Sequence, residues 1–239
     1  MNRKRYTDER NLTILLNYMD NYLLERLAAE LKISPFNILR ENMEIAFLDK
    51  VSQSALNRKL LFYGGTSIRL AYGSPRFSED VDFLMIKNTS ESELERLVES
   101  LTSEYTGLFL KDLKMKRNTL FALLNLTHPI LKHPLNVKIE ISRKTNGVRA
   151  EYLPLKSPCS NLTPIILTAT PEALKTLKEQ AVRQRNDPKD WFDLWYLSKY
   201  LKEPFVAPVN FPFDTREFRR ELKRFLPQNR WQLIEQIHA

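Results

Sequence analysis

Two of the chain's five glycines stand side by side, Gly64-Gly65, directly after the apolar run Leu60-Leu61-Phe62-Tyr63. A short apolar run ending on Gly-Gly reads as a buried strand feeding a tight turn. The hydroxyl residues Thr66 and Ser67 follow, and the sequence from Ser67 to Tyr72 opens a helix that Gly73-Ser74-Pro75 breaks. A dozen residues past the turn comes Arg76-Phe77-Ser78-Glu79-Asp80-Val81-Asp82-Phe83, with an Asp-x-Asp pair on a strand expected over 81–86. A fold that accepts this stretch must place a glycine turn and two carboxylates within one strand–helix–strand unit.

The surrounding pattern sets the fold class. Residues 8–32 read as an amphipathic helix capped by Thr7 or Asp8, with Leu12, Leu15, Leu16, Met19, Leu23 and Leu27 on one face. Ser34-Pro35 restarts the chain as N-cap and first helical residue of a helix to about 54. Ser90 and Glu93 form a capping box for a helix to about 104. Strands are expected over 108–115, 119–127 and 136–142. The last alternates cleanly, with Val137, Ile139 and Ile141 on one face and Lys138, Glu140 and Ser142 on the other. Residues 143–163 read as a loop. Thr170-Pro171 starts a helix to about 185, and Asp187-Pro188 caps another to about 202. A Pro/Phe-rich linker spans 204–213, Asp214 and Glu217 box a basic helix, and a short helix follows Asn229. Helices, then a mixed sheet, then helices make an α+β fold. The division expected is 1–165 for the N-terminal helices and sheet core, and 166–239 for a C-terminal helical lobe.

Charge narrows the partners. The chain carries 37 Lys/Arg against 29 Asp/Glu, a net charge of +8. The excess is local: residues 111–189 hold fifteen basic against six acidic residues, and the rest hold twenty-two against twenty-three. Such a field suits a polyanion, a nucleotide or RNA; a solvated basic surface is the plainer reading. The basic N-terminus is followed by no apolar signal region, and no apolar run is long enough to span a bilayer. The single cysteine, Cys159, fits a reducing cytoplasmic setting.

Phosphoryl and nucleotidyl chemistry needs metal ions on the phosphates, carboxylates to hold them and positive groups against the developing charge. Asp80 and Asp82, two apart on a strand, project from one face about 7 Å apart. Glu140 supplies a third oxygen ligand if its strand is their neighbour. An oxygen-only set without a His/Cys cluster favours Mg²⁺ or Mn²⁺. Gly64 and Gly65, with the Thr66 and Ser67 hydroxyls at a helix start, form an anion seat, though not a P-loop, which would need Gly-Lys-Ser/Thr. Lys178 and Arg185 share a helix face within reach of a triphosphate. Asp190 and Asp193 either orient them or complement the helix dipole. Trp191-Phe192 and Trp195-Tyr196 read as core.

The Gly64-Gly65-Thr66-Ser67 and Arg76–Phe83 stretches together resemble the first motif of the AbiEii/AbiGii nucleotidyltransferase toxins, in the DNA polymerase beta-like superfamily. Lys138-Ile139-Glu140-Ile141 looks like the family's strand with a third acidic residue. Glu172-Ala173-Leu174 with Lys178, Ala181 and Arg185 resembles its lysine helix. Lys189-Asp190-Trp191-Phe192-Asp193-Leu194 is similar to its Arg-Asp-x-x-Asp-Leu pattern, with lysine for the usual arginine. The likeness covers about 41–200. It implies a polymerase beta-like core and a toxin of a toxin–antitoxin or phage-defence pair that moves a nucleotide from an NTP to an RNA, the tRNA 3′ end in studied relatives, and so stops translation. An antitoxin protein is the implied partner. The resemblance also raises Lys178 and Asp193 to functional residues, with Arg76 and Arg185 as further phosphate contacts. A phosphate on Ser78 would set about two negative charges beside the metal carboxylates and block catalysis; mass spectrometry of the silenced protein checks it, and an always unmodified Ser78 sinks it. Two other readings keep the same residues: a kinase-like or protein-modifying transferase, and a non-catalytic nucleotide- or RNA-binding module.

Overall fold

The computed structural model describes residues 19–143, 147–205 and 213–237. Helix α1 (Asn21–Leu31) starts where the Asp20 side chain accepts a hydrogen bond from the Leu23 N–H. The backbone of Asp20 is extended, so the helix expected over 8–32 does not run unbroken through it. The cap expected at Thr7 or Asp8, and Leu12, Leu15 and Leu16, lie outside the described residues. Helix α2 (Pro35–Ser52) begins on the expected Ser34-Pro35 signal. A short 3₁₀ turn, Ala55–Arg58, leads to strand β1 (Leu60–Tyr63).

Helix α3 (Gly64–Tyr72) starts at the first glycine rather than at Ser67, and ends on Gly73 in the left-handed region. Strand β2 (Asp80–Met85) follows, then α4 (Glu91–Glu104) with both halves of the Ser90/Glu93 capping box formed. Strands β3 (Leu108–Met115), β4 (Thr119–Leu126) and β5 (Leu135–Ser142) fall within a residue of their expected spans. The 143–163 region corrects the sequence reading. It contains strand β6 (Ala150–Pro154), which pairs with β7 (Ile165–Ala169). Strand β6 is an exposed edge strand closed by a proline, so it carries no alternation to read.

The seven strands form one sheet in the order β3-β4-β5-β2-β1-β7-β6. Strand β2 pairs parallel with β5, β1 pairs parallel with β7, and the other pairings are antiparallel. The alternation of β5 now has its cause. Val137, Ile139 and Ile141 are buried with Val81, Phe83, Leu120 and Ala122 in the main core, which α2 and α4 complete. On the other face, the β1/β7 half is covered by α3, α5 (Pro171–Gln184) and α6 (Pro188–Tyr200), through Leu61, Ile68, Leu84, Leu174 and Leu197. Helix α7 (Thr215–Lys223) and a 3₁₀ segment, Gln228–Ile237, close a second core on α6, and this core takes in the aromatic run as expected: Trp191, Phe192 and Trp195 are buried there. Hydrogen bonds from Gln228 N–H to the Lys32 carbonyl, and from Asn37 to the Arg224 carbonyl, tie this end to the N-terminal helices. Among the described residues, no helix is long and apolar enough to cross a membrane.

Candidate active site

Strand register brings the acidic residues together. Asp82 lies opposite Glu140, and Asp80 opposite Lys138, on the parallel β2–β5 pair. All four project from the face away from the main core. Asp82 also lies opposite Tyr63 at the end of β1. The Lys138 ammonium binds Asp80 at 2.9 Å and Glu140 at 3.5 Å. Sequence reasoning named Asp80, Asp82 and Glu140 but assigned nothing to Lys138. Its place two residues before Glu140 was the available signal, because residues two apart share a strand face. Tyr63 was missed for want of any signal; only the register reveals it.

Burial and the neighbouring Asp80 charge push the Asp82 carboxyl up to about 7. Burial, then the charges of Asp82 and Glu140, raise the Tyr63 hydroxyl far above its ordinary value. Like charges held this close are costly unless a cation joins them. Lys138 supplies one, so the carboxylates already gather about a positive charge. Among the described residues, no three Asp, Glu, His or Cys side chains converge closely enough to hold a metal ion by themselves. The donor set nonetheless fits a hard cation in place of the ammonium, since every donor is oxygen.

The glycine pair does two different jobs. Gly64 has φ +83°, and a Cβ there would meet Asp82 Oδ2 at 2.5 Å. A Cβ on Gly65 would collide with the Arg76 guanidinium and lie 2.8 Å from Ser78 Oγ. The first glycine therefore makes room for Asp82, and the second for the Arg76 loop. The hydroxyls depart from the expected anion seat. Thr66 Oγ1 donates to the Asp80 carbonyl and Ser67 Oγ to the Gly64 carbonyl at 2.9 Å, and both residues are buried. Thr66 thereby fastens α3 to β2, while Ser67 closes on the first turn of α3 itself. What the α3 start offers an anion is backbone N–H, with no side chain capping it.

Gly64→Ala tests this packing. The left-handed backbone costs a residue with a Cβ roughly 1–2 kcal/mol, and the methyl displaces Asp82. Turnover should fall by about a hundredfold, as for a misplacement of ~1 Å, while the protein still folds. Circular dichroism and an activity assay check both halves. An active, well-folded variant would detach Gly64 from Asp82 geometry.

Behind the carboxylates lies a buried ionic network. Arg76 donates to both Asp193 oxygens, at 2.8 and 2.7 Å, and to the Phe77 carbonyl. Lys178 binds Asp190 and Asp193, each at 2.7 Å. Arg185 Nε binds Asp190 at 2.7 Å. Burial raises the Asp193 carboxyl, but Arg76 and Lys178 outweigh it and hold it below the usual range. Burial lowers the Lys178 ammonium, and Asp193 and Asp190 more than reverse that. Asp190 and Asp193 thus orient the cations. Arg76 corrects the sequence reading: it is 2% exposed and its guanidinium is engaged by Asp193, so it braces the loop rather than offering a free phosphate contact. Lys178 is nearly as enclosed, although its charge still acts on Asp82. The Arg185 side chain is 65% exposed and is the accessible cation of the pair. Ser78 precedes β2 rather than sharing its strand face, and sits beside Gly65. Lys189 binds Glu79 at 3.3 Å. Arg69, paired with buried Glu41, stacks on Phe77 and stiffens the same loop from the other side.

The profile of the family described as nucleotidyl transferase AbiEii toxin, type IV toxin–antitoxin system, matches residues 46–236. No curated protein matches the sequence. Among solved structures, the fold is similar to MenT4, a nucleotidyltransferase toxin of Mycobacterium tuberculosis H37Rv: TM-score 0.57 and 16% identity, over 86% of this chain and 69% of that one. It is also similar to JHP933 of Helicobacter pylori: TM-score 0.55 and 20% identity, over 86% of this chain and 95% of that one.

Proposed function

Because the chain belongs to the AbiEii family of nucleotidyl transferase toxins, we propose that it moves a nucleoside monophosphate from an NTP onto an RNA 3′ end, a tRNA being the acceptor to try first. The observation that carries this is the carboxylate row Asp80, Asp82 and Glu140 on neighbouring strands, facing the start of α3 and the Lys178–Arg185 cations. Asp80, Asp82 and Glu140 would hold Mg²⁺ or Mn²⁺, which when bound neutralises phosphate charge and polarises the α-phosphate. The α3 N–H groups of Gly64 and Gly65 seat phosphate oxygens, Arg185 contacts the triphosphate from the rim, and the Lys178 charge stabilises it from below. The acceptor 3′-hydroxyl gives its proton to a carboxylate of the row. Its oxygen bonds to the α-phosphorus, the bond to the β-phosphate oxygen breaks, and pyrophosphate leaves. The 111–189 basic excess supports an RNA acceptor. The family's toxin–antitoxin setting supports a cognate antitoxin, and a blocked tRNA end would stop translation.

The purified protein, total tRNA, Mg²⁺ and each α-³²P-labelled NTP in turn should give labelled RNA, and Asp80→Ala should give none while keeping its fold. Label from γ-³²P-labelled NTP alone would make it a kinase. No label from either would overturn transfer.

A further inference from the structure

Among the described residues, the outer half of the site face carries large apolar side chains that no core takes up. Across β2, β5, β4 and β3, one register row reads Asp82, Glu140, Phe121, Lys114. The next reads Asp80, Lys138, Leu123, Asp112. Phe121 and Leu123 belong to none of the three apolar cores and stay only half-buried. Phe109, opposite Asn125 farther along the same two strands, is 43% exposed. Helices α2 and α4, which pack on β5 and β3, do so from the main-core face. An aromatic ring two strands, about 10 Å, from Asp82 is therefore left facing outward beside the reacting groups.

The setting of this patch is cationic. Residues 108–143 hold seven Lys/Arg against two acidic residues, one of which is Glu140 itself. Lys114 and Lys116 flank Phe121, and the Lys116 ammonium stands 5.6 Å from its ring centroid. Arg143 reaches Met115 at the strand ends. Aromatic faces interleaved with flexible cations are what a single strand of nucleic acid requires, the rings for its bases and the cations for its phosphates.

We propose that the β3–β4–β5 face is the acceptor platform, with the single-stranded 3′ end of the RNA lying across it, a base stacked on Phe121 and the phosphates on Lys114, Lys116 and Arg143. This deepens the transferase reading and rests on it for the identity of the acceptor. The platform delivers the 3′-hydroxyl along the register row to Asp82. It reads bases by stacking, so it tolerates different sequences near the end.

The test is fluorescence anisotropy without NTP, using a short 5′-fluorescein single-stranded oligoribonucleotide, with Phe121→Leu and Phe121→Tyr beside the wild type. Thermal melts confirm that both variants fold. Loss of the ring should weaken binding about tenfold, and tyrosine should retain it. In turnover, Phe121→Leu should raise KM for RNA and leave KM for NTP unchanged. Equal binding by the leucine variant and the wild type would overturn the platform, as would a wild type that prefers duplex RNA. So would a wild-type dimer that Phe121→Glu dissociates without affecting RNA binding, since the face would then belong to a second copy of the chain. Nucleotide incorporation without ring dependence removes the platform and leaves the transferase. Ring-dependent binding without incorporation does the reverse.

Discussion

Asp193→Ala should cost about 3–5 kcal/mol of folding stability, the usual penalty for removing one partner of a buried ion pair. Asp193 is 1% exposed and is the shared anion of Arg76 and Lys178, themselves 2% and 8% exposed. Its loss leaves two cations buried, with Asp190 serving Lys178 and Arg185 and no carboxylate on Arg76. For a chain of this size the midpoint should fall by roughly 10 °C. Asp193→Asn keeps the volume and lacks the charge, so it should lose nearly as much. Arg185→Ala, at the exposed end of the network, should change stability little. The pH profile gives a second readout. A carboxyl held below its unfolded value of 3.8 contributes fully above that value and loses its contribution as pH falls through the folded one. Below about pH 4 the wild type should therefore lose its advantage over Asp193→Ala. A variant melting within a degree or two of the wild type at pH 7 would show that the network relaxes to water.

Asp82→Asn should abolish transfer and yet stabilise the protein. The carboxyl titrates near 7, raised by burial first and by Asp80 second. The folded state then binds a proton between about pH 4 and 7 that the unfolded state does not. Wild-type stability falls as pH rises through that window and stays reduced above it. The amide has no charge to desolvate, so the variant should be flat there and, without divalent cation, more stable above pH 7 by about 1–2 kcal/mol. That is less than the full shift would give, because Asp82 keeps a solvent-facing edge. Mg²⁺ should raise the wild-type midpoint and leave the variant's unchanged. Turnover should drop by more than about a hundredfold, beyond what loss of a supporting group costs. An Asp82→Asn protein that melts lower than the wild type at pH 8 in EDTA would show that the carboxylate is stabilising, and would overturn the cost of its burial beside Asp80.

Legibility followed periodicity and punctuation. The Ser90/Glu93 box, the Ser34-Pro35 and Thr170-Pro171 starts and the alternation of β5 were readable because each is local chemistry, closed within a few residues. Strand β6 was not, because an edge strand that ends in proline forms only when β7 offers its ladder. Thr66 and Ser67 looked like phosphate ligands because a hydroxyl's direction depends on what packs beside it, and here the Asp80 carbonyl captures Thr66. Arg76 looked free for the same reason: its partner lies 117 residues away.

The sequence by itself determined that two carboxylates share one strand face beginning two residues after Ser78, that Glu140 alternates outward on its own strand, and that Lys178, Asp190 and Asp193 stand on two consecutive helices. These are consequences of the backbone period, which no distant contact alters. Arg185, expected on the first of those helices, instead follows its last turn in extended backbone. Tertiary structure decided which strands are neighbours, and with that the pairing of Asp82 with Glu140 and of Asp80 with Lys138. It also decided which cations are buried and engaged, leaving Arg185 open and Arg76 closed. Register and burial depend on contacts between segments far apart in the chain, and a local pattern holds no record of them.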